Sequence, residues 1–188
     1  MLLLVSFAAC AMGQMSVLTT PVGSFPALSV QPTVGTQQRP LKGSDFRKTM
    51  TISPKLTIEG GSRLVPIPAA EAIMIIVTMD TQAKYKNNTE VYHVLTAETI
   101  PIPAAQMGER RSFTFAESTV TYDAYRDNSN VGGETYKYYV FALRDPASKE
   151  IIDFKSNNPP LMTEVKAHPE KRAELLGLAK GAKFPIFK

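Results

Sequence analysis

The sequence predicts an all-β protein: an antiparallel β-sandwich of about seven strands from Phe46 to Asn158, with a flexible arm before it and a short helix after it. Three observations predict this. Polar and apolar residues alternate through Met50, Ile52, Leu56 and Ile58, the period that turns one face of a strand inward. The most hydrophobic run, Ala72 to Met79, is rich in isoleucine and valine, which suits a central strand better than a helix. From Gly132 to Phe154 a Gly-Gly turn, an aromatic strand, a Pro-containing turn and a second strand follow one another, the order of a hairpin.

The chain has 188 residues, and the first 38 carry no charge: every Lys, Arg, Asp and Glu lies from Arg39 onward. Residues 1–11 read as an export signal, an apolar run from Leu2 to Ala9 closed by Ala9-Cys10-Ala11, which leaves Met12 first in the mature chain. Phe7-Ala8-Ala9-Cys10 is also similar to a bacterial lipobox, in which Cys10 is lipidated and holds the chain to a membrane. A buried apolar strand is the third reading. The run is too short to span a bilayer, which needs about 20 apolar residues. Cys10 is the sole cysteine, so the mature domain is expected to stand on its core without a disulfide.

Residues 12–45 read as a flexible arm, because Gly and Pro recur too often from Gln14 to Gln38 for a long element. The sandwich, 46–160, opens with the alternating run from Phe46 to Glu59. Pro54 falls inside it, which predicts an edge strand or a strand broken in two. Pro66-Ile67-Pro68-Ala69-Ala70 recurs as Pro101-Ile102-Pro103-Ala104-Ala105; the two copies read as equivalent strand-to-strand crossings or an exposed recognition strip. Thr81 to Thr89 reads as a polar connection, in which Asn87-Asn88-Thr89 matches a glycan acceptor pattern. Val91 to Leu95 is a further strand, with His93 a structural imidazole. Arg111 to Phe115 and Thr119 to Tyr125 form one long strand or two with a bulge.

The aromatic strand places Tyr136, Tyr138, Val140 and Ala142 on one face and Lys137, Tyr139, Phe141 and Leu143 on the other. Only Lys137 breaks the apolar character of the second face, so the strand is expected to be central. Ile151, Ile152 and Phe154 return as its partner after the turn at Arg144 to Lys149. This hairpin resembles the penultimate and last strands of immunoglobulin and fibronectin type III-like sandwiches. The resemblance implies an immunoglobulin-like fold, with Tyr136 at the tyrosine-corner position, its hydroxyl bonded back to backbone, and Tyr138 where an antibody domain has its second cysteine. An OB-like small barrel is the alternative. In the extension 161–188, Pro169 to Lys180 reads as a helix, with Pro169 in its first turn and an apolar stripe of Ala173, Leu176 and Ala179.

Little in the chain points to catalysis. His93 and His168 stand in unrelated contexts, and there is no phosphate loop, nucleophile elbow or zinc-type spacing. Asp123, Asp127, Asn128, Ser129 and Asn130, ahead of Gly132-Gly133, bring together the oxygen ligands that calcium prefers, but in a spacing that also makes an ordinary turn. Asp123, Asp127 and Asn130 are thus calcium candidates, and no cofactor is expected. A net charge of +4 gives weak steering, so nucleic acid is not expected as a partner. The whole chain also resembles exported, pilus-associated proteins of mucin-dwelling gut bacteria of the Akkermansia kind, which implies a surface or pilus-associated role. The expectation is a non-enzymatic structural or assembly protein with protein partners or self-association. The alternative is an extracellular binding module for a host protein or glycan, using loops such as Asp123 to Gly133 or Thr81 to Thr89.

Overall fold

The computed structural model describes residues 28–44, 46–60, 66–106, 108–124 and 132–187. Cys10 and the loop residues Asp127, Asn128, Ser129 and Asn130 lie outside them. Two antiparallel sheets pack face to face. In the smaller, β1 (Leu28–Pro40) pairs with β2 (Arg47–Gly60), and the far edge of β2 pairs with β5 (Arg110–Thr114) and β6 (Ser118–Asp123). The larger has the order β8 (Ile151–Ser156), β7 (Glu134–Arg144), β3 (Ala70–Asp80), β4 (Tyr92–Ile102), β9 (Lys183–Phe184). The described residues also form three short helices: α1 (Thr81–Asn87), α2 (Pro159–Ala167) and α3 (Lys171–Leu176).

The larger sheet is covered on both faces. Ala72, Met74, Ile76, Phe141 and Leu143 meet Val30, Ile52, Leu56 and Ile58 of the smaller sheet in one core. Ile73, Ile75, Val77, Tyr138 and Val140 meet Leu161, Val165, Leu175 and Phe184 from the C-terminal segment in a second. A strand buried on both sides has no polar face to alternate with, which is why β3 is hydrophobic without a break from Ala72 to Val77. The fold is therefore mostly β with helices packed outside one sheet.

Several elements differ from expectation for identifiable reasons. Residues 28–40, read within a flexible arm, form β1, whose Val30 is 3% exposed. The helix expected at Pro169 to Lys180 is shorter, and an unexpected one precedes it. The end of the expected sandwich, at residue 160, lies inside α2: the Asn158 side chain accepts from Leu161 N–H, and Pro159 and Pro160 occupy the first turn, where no N–H is required. In the connection after β3, the Asp80 carboxylate caps Ala83 N–H at 3.0 Å and Asn88 closes α1 at φ 50°, so a polar stretch becomes a helix.

Pro54 neither breaks β2 nor puts it at an edge. β2 runs unbroken as a central strand, and its neighbour is interrupted instead: β5 ends at Thr114, β6 begins at Ser118, and Phe115 N–H donates to the Pro54 carbonyl at 3.1 Å. The N–H that proline lacks would point to the same side as its carbonyl, where the partner chain breaks. The expected two segments are thus present as two strands. The two Pro-Ile-Pro copies face each other: Ile67 and Ala105 exchange backbone bonds at 3.0 and 2.9 Å, and Ile67 and Ile102 are each 2% exposed, while Pro66, Pro101 and Pro103 stay at the surface.

Candidate functional site

The loops that read as separate binding candidates adjoin one another at one end of the sandwich. Thr81, at the start of α1, donates from its backbone N–H and its hydroxyl to the Gly133 carbonyl at 3.0 and 2.9 Å. Gly133 also bridges Tyr122 of β6. Its φ is +84°, and a Cβ there would lie 2.0 Å from the Thr121 carbonyl oxygen, so only glycine fits between β6 and α1. The Gly-Gly turn is thus a clamped segment where three elements meet.

Beside it lies a polar cluster that sequence reasoning missed, since its members are far apart in the chain. The hydroxyl of Thr78, fully buried, donates to Glu134 Oε2 at 2.8 Å, and Glu134 Oε1 lies 3.0 Å from His93 Nδ1. A hydroxyl, a carboxylate and an imidazole are the groups of a hydrolytic triad, but in another order. The carboxylate sits between the other two, whereas an activated nucleophile needs the base against its own oxygen and access to substrate. The cluster's chemistry is that of a tie, joining β3, β4 and β7 beneath α1.

An open groove of about 430 Å³ lies between Lys84, Asn88, Thr89, Glu90 and Ile186. Its one carboxylate is already engaged, by Lys84 Nζ at 2.8 Å and the Tyr92 hydroxyl at 3.0 Å. The Lys84 bond is the main cause that holds Glu90 below the usual carboxylate range. Burial, with Glu90 second, pushes the Tyr92 phenol up to about 12. Such a groove presents a polar surface with an exposed Ile186 at its rim and no group poised for acid–base work.

Of the calcium candidates, Asp123 is held in an ion pair with Arg47 Nε at 3.1 Å, and Asp127 and Asn130 lie outside the described residues. Among the described residues no group of three or more His, Cys, Asp or Glu is placed to hold a metal ion. Tyr138 and Val140 sit in the core beneath the helices, Tyr138 edge-on to Tyr92 and Phe184 with ring centroids 5.8 and 5.7 Å apart. Tyr136 does not share their face. The β3–β7 register shifts so that Val77 faces Tyr138 and Thr78 faces Tyr136, leaving Lys137 as the extra residue of a bulge. Tyr136 thereby turns toward the core between the sheets. Its hydroxyl accepts from Asn157 Nδ2 at 3.2 Å, a side-chain partner where the tyrosine-corner resemblance implied backbone.

No known protein family matches the chain, and no curated protein does. Among the solved structures that resemble it weakly are the following two. One is a crystal structure from Akkermansia muciniphila, 15% identical, covering 74% of this chain and 77% of that one, with a TM-score of 0.32. The other is the X-ray structure of Northeast Structural Genomics Consortium target SoR45, 16% identical, covering 71% and 89%, with a TM-score of 0.25. The sheet order described above rests on this chain's own backbone pairing.

Proposed function

We propose that the chain is a non-enzymatic cell-surface or pilus-associated assembly protein, exported through its N-terminal apolar segment and built as an immunoglobulin-like sandwich. The fold reading is supported by strand order: β1-β2-β5/β6 follows the A-B-E order of such sandwiches, and β8-β7-β3-β4 follows G-F-C-C′. The observation that carries the functional reading is an edge. β1 is 13 residues long, exposed from Gly35 to Pro40, with no described strand beyond it, and a free strand edge is a template for adding another chain. Light scattering on chains beginning at Met12 and at Leu28 tests it; the second keeps β1 whole. The assembly reading expects a defined oligomer in at least the longer chain, and a monomer in both would overturn it.

A second reading is favoured by the meeting of α1 with the Gly-Gly segment through Thr81 and Gly133. Loops from two strand connections gathered at one end make a composite surface of the kind sandwiches use for recognition. In this reading the chain is an extracellular binding module for a host protein or glycan. A monomer retained on immobilised mucin, and released by substitutions at Lys86 and Asn88, is its expected signature.

A further inference from the structure

Backbone bonds fix which groups of β1 point outward. Leu41 N–H donates to the Arg47 carbonyl at 2.9 Å, a bond that continues the β1–β2 register in odd-numbered residues of both strands, while Arg47 N–H donates to Ser44 Oγ. In an antiparallel pair bonded and non-bonded residues alternate, so the odd residues of β1 bond to β2 and the even ones face away. Two independent contacts agree: the carbonyl of Pro32 accepts from the Tyr139 hydroxyl at 3.3 Å, and that of Val30 from Lys155 Nζ. Pro32 and Pro40 are both even, so each lacks an N–H on the outward side. Between them Val34, Thr36 and Gln38 present an outward N–H and carbonyl each, without a backbone partner among the described residues.

We propose that this edge pairs with the same edge of a second copy of the chain, antiparallel and two-fold symmetric about Thr36. The proposal rests on the assembly reading and names its contact. A two-fold axis at Thr36 places Val34 opposite Gln38 of the second copy, Thr36 opposite its own counterpart, and Pro32 opposite Pro40. Every outward donor of the three residues then meets an outward acceptor, and the two prolines end the ladder together on each side. Shifting the register by two residues in either direction leaves a carbonyl of this trio unmatched. One of those shifts also competes with Tyr139 for the Pro32 carbonyl. Charge permits the pairing: Arg39 is the only charged residue of β1 and lies opposite Thr33, so no like charges meet. The lysines that usually guard a free edge are missing from this strand.

Hydrogen exchange by NMR on the full chain, at low and high protein concentration, tests the pairing. The odd amides Thr33, Gly35 and Gln37 are expected to be protected at both concentrations, and the even amides Val34, Thr36 and Gln38 to gain protection only at high concentration, as light scattering reports the dimer. Thr36→Pro removes a donor that the monomer does not use, and is expected to give a monomer at every concentration with its thermal midpoint retained. Even amides that stay unprotected in a dimer, or a folded Thr36→Pro chain that still dimerises, would overturn this contact and leave the assembly reading standing. A wild-type chain that is monomeric throughout would overturn both.

Discussion

Tyr138 shows how a single residue is specified by its surroundings. It is 3% exposed, and its hydroxyl makes no hydrogen bond among the described residues. Burial raises its ionisation well above the usual phenol range; the Tyr92 hydroxyl adds to the shift, and the Asn158 side chain, engaged by Leu161 N–H, opposes it. The ring is useful to the core and the hydroxyl is not. Tyr138→Phe should therefore leave stability unchanged or raise it by up to about 1 kcal/mol, whereas Tyr138→Ala should cost about 3–5 kcal/mol through the cavity left between Tyr92 and Phe184. Urea denaturation of the two variants checks the contrast. A large loss in Tyr138→Phe would mean that the hydroxyl is satisfied after all. Prolines are the other residues whose placement explains itself: Pro32, Pro40 and Pro54 all stand where the strand needs no donor.

At the scale of elements, the C-terminal helices are part of the fold. Leu161 and Val165 of α2 are fully buried and Leu175 of α3 is 2% exposed, all against the outer face of the larger sheet. A chain ending at Asn158 would bare Ile73, Ile75, Val77 and Val140, and should aggregate. Leu161→Ala should cost about 2–5 kcal/mol, measured by thermal or urea unfolding, and a loss below about 1 kcal/mol would show that α2 is only loosely docked. The turn between β7 and β8 is tied to β3 by Glu71, which bonds Lys149 at 2.9 Å and Arg144 at 2.6 Å. Lys149 first and Arg144 second lower the Glu71 pKa below its ordinary value. A lowered folded-state pKa gives stability that is present above the unfolded value of about 4.3 and is lost as pH falls through the folded one. Melting midpoints of the wild type and Glu71→Gln should thus differ near neutral pH and converge in acid; a gap that persists at low pH would assign the effect to packing.

For the molecule as a whole, what could be read from sequence depended on whether a pattern was local. The central strands β3 and β7 and the hairpin to β8 were legible, because hydrophobic runs and a turn between them are written in consecutive residues. The face assignment of Tyr136 was not, because the bulge at Lys137 is set by pairing with β3. Nor was β1: its alternation is weak, and only pairing with β2 along its whole length shows it to be a strand. The site region was legible as two loops, but their meeting through Thr81 and Gly133, and the tie of Thr78, Glu134 and His93, join residues 41 to 56 positions apart. The same distinction governs function. No linear motif announces one, and the feature with most consequence is a backbone row without a partner among the described residues, which side-chain patterns do not record. Sedimentation velocity of the full chain over a concentration series tests that consequence most directly. A reversible shift from monomer to dimer with rising concentration is the predicted result, and a single monomeric species at every concentration would contradict it.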